Sequence, residues 1–286
     1  QVNYFANVIK ADSFYSQNKY SEAYNCYVTA FNYRKGFSKD YLNAARTSSM
    51  LDDSITSIKY LYLAYVSGFD NIDIILEDNS FNNIRKCQNF NGIIDSLQKI
   101  ISERDKKYPF RSNILSMYEN DQKFRIKRSE FFKKNGYANP PKEIEQLLDS
   151  ISIFDSINIY KVLKIIETYG WLGPSEIGNK PYLTIFLIIQ HANDVTIEQY
   201  LPLLAEAVKK QNAPPEHYAL MMDRIKMFRK EKQIYGTQVQ CDSKGNCFLY
   251  PIEDEINVNK IRREMGMESL SEYLKNWNIV WPINNE

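Results

Sequence analysis

ADSFYSQNKYSEAYNCYVTA, residues 11–30, and ARTSSMLDDSITSIKYLYLA, residues 45–64, are the two stretches that decide the fold of this chain. Ala11, Ala23, Tyr27 and Ala30 of the first recur 34 residues later as Ala45, Ser57, Leu61 and Ala64. In each copy the small residues sit where two antiparallel helices approach closely, and the large one fills the next layer. Asn18-Lys19-Tyr20 supplies the turn between the helices of the first unit, and Ser38-Lys39-Asp40 opens the second.

A spacing of 34 residues is the period of the tetratricopeptide repeat (TPR). The front of the chain resembles such a module, although the usual Trp, Gly and Pro positions are not all filled. Two hairpins leave an apolar face uncovered. The segment 71–107 is read as its cap, with Ile84, Phe90, Ile93, Ile94, Leu97 and Ile101 on further helices. Tyr108-Pro109 breaks the pattern, because the residue before a proline is disfavoured in a helix. The expected division is therefore a TPR-like helical repeat domain over 1–108 and a second helical domain over 109–286.

Beyond that boundary the helices are longer and do not repeat. One runs from about Ser112 to Lys134 and stops at Asn135-Gly136. Another extends from Asn139-Pro140-Pro141 to Tyr169, before the breaker Gly170-Trp171-Leu172-Gly173-Pro174. A short buried helix follows Pro181 and ends near His191, and two amphipathic helices occupy 197–208 and 218–228. Turn residues Asp242 to Asn246, set between two β-prone runs, predict a small β-hairpin over 233–252. Two short helices finish the chain. The predicted class is mainly α, helical-hairpin repeats followed by an α-helical domain with a small β-hairpin.

Composition bounds the function. A chain with 44% hydrophobic and 25% charged residues is ordinary globular protein. A net charge of +1 argues against nucleic acid, because phosphate-gripping surfaces carry a basic excess. The longest apolar run, Tyr182 to Ile189, is far short of the ~20 residues that a membrane-spanning helix needs. The chain opens at Gln1 without an initiator Met, as expected of a mature form that has lost a secretion signal or of a simple truncation. Cys26 and Cys87 fall in helical patterns and read as small hydrophobes. Cys241 and Cys247 flank the hairpin turn, where a disulfide is geometrically feasible and would suit an oxidising compartment. No second pair of thiols or histidines is spaced to complete a zinc site.

No phosphate-cradling Gly-rich loop, paired-His zinc motif or nucleophile elbow is present, and no cofactor or metal is expected. His191, directly after Gln190, ends the run Leu183 to Ile189. Burial there disfavours the charged ring while a helix C-terminus favours it, a conflict that can tune a general base. The structural alternative is that His191 ties the helix end to a neighbouring loop. His217, after Pro214-Pro215, reads as an exposed first-turn residue. Asp121, Gln122 and Arg125 share a helix, where Asp121 and Arg125 could equally form a surface ion pair. Asp223-Arg224 interrupts an apolar pattern, so one of the two is expected to reach inward. In Tyr235-Gly236-Thr237-Gln238 the glycine permits a bulge or a close backbone approach. The basic stretch Lys123 to Lys134 reads as a solvated helix face.

The order Asp121-Gln122-x-x-Arg125, Gly170-Trp171 with Gly178, Gln190-His191-Ala192 with Gln199, Asp223-Arg224 and Gln233-x-Tyr235-Gly236-Thr237-Gln238 continues through Pro251-Ile252-Glu253-Asp254, Val258, Arg262-Arg263, Gly266 and Tyr273. Together these motifs resemble a bacterial family, of the type found in Bacteroidetes envelope proteins, known as a domain of unknown function and preceded there by TPR-like modules. Two departures stand out. Asn193 intervenes between Ala192 and Asp194, and Trp171-Leu172-Gly173-Pro174 replaces a Trp-Pro pair. The resemblance implies a shared polar site and a periplasmic or otherwise extracytoplasmic location, but supplies no reaction.

Two functions fit. The first is a binding or scaffold protein of the cell envelope, whose TPR-like surface recognises a protein or peptide and whose second domain takes a small ligand through Gln122, Arg125, Gln190, Gln199, Arg224, Tyr235 and Gln238. The second is a hydrolase-like enzyme with His191 as general base, oriented by Asp121 or Asp223.

Overall fold

The computed structural model describes residues 2–135, 141–242 and 246–281. Among them the chain is mainly α, fifteen helices with one two-stranded antiparallel sheet. It forms two compact units, residues 1–112 with 173–182 and residues 113–172 with 183–286.

In the first unit α1 (Val2–Ser16) packs on α2 (Tyr20–Tyr33), and α3 (Ser38–Met50) on α4 (Ser54–Val66). All eight residues of the repeat, from Ala11 to Ala64, are fully buried. The equivalence extends to the turns. Asn18 and Asp52 hold φ of 59° and 60°, a left-handed conformation that Asn and Asp tolerate better than other side chains. Ser57 stands where the first copy has Ala23, and its hydroxyl donates to the Ala45 carbonyl at 2.6 Å, so the close helix contact carries no unpaired polar group. α5 (Asp73–Glu77), α6 (Asn82–Arg85) and α7 (Phe90–Lys107) cover the remaining face. Ile75, Phe81, Ile84 and Leu97 are buried in that core, with Phe90, Ile93, Ile94 and Ile101 packed against it.

A polar knot lies inside this apolar stack. The Tyr4 hydroxyl donates to the Asp40 carboxylate and accepts the Phe37 N–H at 3.1 Å. Burial pushes the Asp40 carboxyl up to about 6, although the Tyr4 hydrogen bond pulls it down.

Residues 173–182 complete the first unit. Buried Arg111 donates to the Ile177 carbonyl at 2.6 Å and to Asp70 Oδ2 at 2.9 Å. Arg104 donates to the Val66 carbonyl at 3.1 Å. The Asn179 N–H reaches the Gly68 carbonyl at 2.8 Å, and its side-chain amide donates to the Ser38 hydroxyl at 2.7 Å. Glycine is required on both sides of this seam. Gly68 (φ +118°) and Gly178 (φ +87°) sit where a Cβ would come within 2.5 Å of the Pro174 carbonyl and 2.4 Å of Asp70 Oδ2.

The second unit is framed by α8 (Arg111–Asn135) and α9 (Lys142–Tyr169), with Phe132, Ile144 and Leu147 forming a local core. The predicted stop at Gly136 and the start at Asn139-Pro140 lie outside the described residues. Gly170, at φ +72°, ends α9. Beyond α10 (Pro174–Ile177) come α11 (Asn179–Gln190), α12 (Asp194–Lys209) and α13 (Pro215–Phe228). Asn193, one of the departures noted above, caps α12 by accepting the Thr196 N–H at 2.9 Å. His217 is not exposed as its sequence neighbours suggest. It is 8% exposed, and its ring lies flat on Phe186 with centroids 3.9 Å apart. Pro215, Ala219 and Met221 on the same two turns of α13 are buried with it, while the adjacent Glu216 is exposed.

The hairpin consists of β1 (Val239–Cys241) and β2 (Cys247–Leu249), with Cys241 directly opposite Cys247 and a disulfide joining them. Its expected tip at Ser243, Lys244 and Gly245 lies outside the described residues. The strands are shorter than the 233–252 pattern predicts, because side chains described below draw residues 233–238 into a loop. α14 (Val258–Glu264) and α15 (Leu270–Leu274) close the unit over Ile252, Val258, Leu270 and Leu274.

Candidate functional site

The loop 233–238 is built by side chains from four directions. Asp223, fully buried on α13, accepts the N–H groups of Ile234 at 2.8 Å, Tyr235 at 3.1 Å and Thr237 at 3.0 Å, and the Thr237 hydroxyl at 3.0 Å. Gln233, also fully buried, accepts the Gln238 N–H at 2.8 Å and donates to the Tyr250 carbonyl at 2.6 Å. Arg262 from α14 donates to the Tyr235 carbonyl at 2.7 Å and the Glu268 carbonyl at 2.8 Å. Tyr273 from α15 donates its hydroxyl to the Thr237 carbonyl at 2.9 Å. Gly236, at φ +71°, lies where a Cβ would meet Leu270 Cδ1 at 2.8 Å, so any other residue at the bend would be strained and would push Leu270 aside.

Two arginines stand beside this loop, Arg262 by contact and Arg224 through its sequence neighbour Asp223. Arg262 is fully buried, with its guanidinium 4.9 Å from the centre of the Tyr273 ring. Arg224, next to Asp223, is half-buried, and its Nε is sealed from solvent without a hydrogen-bond acceptor. Burial depresses the Arg224 pKa, and the charge of Arg125 depresses it further, so the two guanidiniums lie within electrostatic reach of each other. Arg125 is matched by Asp155 on α9. Tyr273 lies within electrostatic reach of both Arg262 and Arg224. Burial raises its phenol, as it raises the Tyr235 phenol to about 12. Burial also raises the Asp223 carboxyl, while the loop N–H groups pull it down.

Asp223, Arg224, Tyr235, Gln238 and Arg125 therefore belong to one neighbourhood. Gln238 is buried and donates to the Thr237 hydroxyl at 2.9 Å. Gln190 has another duty, joining the end of α11 to α13 through the Leu220 carbonyl at 3.1 Å. His191 is half-buried just after that helix end, its N–H bonded to the Leu187 carbonyl at 2.9 Å. Gln122 is half-buried on α8 and Gln199 is exposed on α12. The side chain of Asp121 lies outside the described residues. Asp194 opens α12 on the surface. Sequence reasoning did not select Gln233, Thr237, Arg262 or Tyr273 as site residues. Their signal was membership in the same ordered motifs as the residues it did select. Among the described residues no group of three His, Cys, Asp or Glu side chains is arranged to hold a metal ion.

Fold and site together define a mainly helical protein in which an arginine- and tyrosine-lined loop is fixed behind a disulfide-closed hairpin. A family of unknown function (DUF6624) matches residues 109–283, more than half of the chain, and the chain belongs to that family. No curated protein and no solved structure matches it. No helix among the described residues is long and apolar enough to cross a membrane.

Proposed function

We propose that this chain is a binding protein of the bacterial cell envelope. In this reading a TPR-like module over 1–108 presents a surface to a protein or peptide partner, and the domain over 109–286 holds a small ligand at the 233–238 loop. The observation that carries it is the preorganisation of that loop. Four buried or half-buried side chains, Asp223, Gln233, Arg262 and Tyr273, fix its backbone before any ligand arrives, and a prefixed site binds without a further ordering cost. The Cys241–Cys247 disulfide supports an extracytoplasmic location, because such bonds persist in oxidising compartments. The hydrolase alternative draws less support. Asp223, one of the two carboxylates expected to orient His191, has both oxygens engaged by the loop.

Thermal-shift screening of the full chain against a metabolite library tests the reading. A ligand is expected whose stabilisation is lost in Tyr235→Phe and kept in Lys210→Ala, since Lys210 is exposed just past α12 and paired with Glu206. A library in which nothing stabilises the full chain would count against a small-molecule site.

A further inference from the structure

We propose that the ligand at the 233–238 loop carries an oxyanion, a phosphate or carboxylate of a small molecule, which seats against Arg224 with Arg125 and Arg262 around it. This deepens the binding reading above and rests on it.

Two buried guanidinium nitrogens near this loop meet no acceptor, Nε of Arg224 and the second terminal nitrogen of Arg262. The charge of Arg125 acts on Arg224, and those of Arg224 and Arg262 both act on Tyr273, whose hydroxyl holds the loop. Of these three arginines only Arg125 has, among the described residues, a carboxylate in an ion pair, Asp155. Asp223, the nearest buried acid in sequence, is turned to the loop N–H groups. Arg262 is satisfied in part by two backbone carbonyls and feels the charges of Glu268 and Asp223, yet its second terminal nitrogen is buried with no acceptor. Arg224 has no carboxylate partner among the described residues, and its Nε is likewise without one. A buried guanidinium N–H without an acceptor is unfavourable, and chains retain such an arrangement where a ligand supplies the missing acceptor.

The chemistry of the lining specifies the guest. Guanidinium groups present planar forks that match the paired oxygens of phosphate and carboxylate. Tyr273 and Tyr235 stay protonated across the neutral range, because burial raises both phenols, and a protonated phenol adds no competing negative charge. Asn158, on α9 one turn beyond Asp155, is 3% exposed and its side-chain N–H donors meet no acceptor. It is a further buried donor, on the helix that supplies the partner of Arg125.

The test uses the full chain in a low-salt, phosphate-free buffer, titrated with sodium phosphate and with sodium succinate, each against sodium chloride at matched ionic strength. At least one oxyanion should raise the melting temperature saturably by a few degrees or more, and which one does so separates phosphate from carboxylate. Arg224→Gln should melt no lower than the wild type in chloride and bind at least about tenfold more weakly. Arg229→Gln, altering an exposed arginine paired with Glu198, should bind as the wild type does. If Arg224→Gln does not fold, Arg125→Gln is the substitute, with weakened binding again expected. Equal effects of phosphate, succinate and chloride on the wild type would overturn the proposal, as would full oxyanion binding by a folded Arg224→Gln protein. A neutral ligand found by the library screen, with no oxyanion effect, would overturn this inference and leave the binding reading standing.

Discussion

Asp223 and Thr237 are joined twice, the N–H and the hydroxyl of Thr237 both donating to Asp223 Oδ2 at 3.0 Å. The same carboxylate also takes the N–H groups of Ile234 and Tyr235. Removing it leaves buried donors without acceptors, each a loss of about 1–3 kcal/mol. Asp223→Ala should destabilise the second unit by roughly 3–5 kcal/mol, measured by urea denaturation. Asp223→Asn should cost less but still destabilise, because its amide turns a donor toward donors.

Protonation of His217 opposes folding. Its ring is stacked on Phe186, and burial lowers its pKa to about 3 from an ordinary 6.5. Between those values the unfolded chain binds the extra proton, so this contribution is complete above pH 6.5 and is lost as pH falls toward 3, by at most about 1.4 kcal/mol per pH unit. His217→Phe keeps the ring stack and removes the proton. It should be near wild-type stability at pH 7.5 and more stable than wild type at pH 4.5.

Asp40 acts in the opposite direction. Its carboxyl titrates near 6 when folded and near 3.8 otherwise. Across that window the folded chain holds the extra proton, so stability falls as pH rises, again by at most about 1.4 kcal/mol per unit. Asp40→Asn keeps an acceptor for the Tyr4 hydroxyl. It should gain stability relative to wild type between pH 4 and 7, and an unchanged difference across that range in chemical denaturation would contradict the assignment.

Alkylation under denaturing, non-reducing conditions should label Cys26 and Cys87 and spare Cys241 and Cys247. Reduction should then loosen the hairpin. A loop this short contributes on the order of 2 kcal/mol in the chain-entropy account. Hydrogen exchange at Val239 to Cys241 is expected to quicken on reduction while exchange in α1 to α4 is unchanged.

Much of the fold was legible because periodic burial leaves a periodic trace. Ala11, Tyr27 and Ala30 recur as Ala45, Leu61 and Ala64 because the same helix contact is made twice, and Ile84 and Leu97 could be assigned to its cap from their spacing alone. The site was harder to read. Gln233, Arg262 and Tyr273 act through side-chain bonds to a loop backbone as many as 36 residues away, and such bonds follow no period. Asp223-Arg224 was visible as a break in an apolar pattern, but nothing in the pattern says that Asp223 serves the backbone while Arg224 has no carboxylate beside it. His217 was misread because paired prolines suggest a surface turn, whereas Phe186, which covers the ring, is remote in sequence.

The seam around Gly178 bears on how this protein can be divided. The family region begins at residue 109, yet residues 173–182 within it fold with the N-terminal unit. A fragment starting at 109 would keep Ser175, Gly178 and Asn179 but strip away Arg104, Asp70, Gly68 and Ser38, the groups against which they rest. The piece defined by family membership is thus not a piece that can be lifted out intact, and its inheritance as a module would require either the front helices or a replacement surface to travel with it.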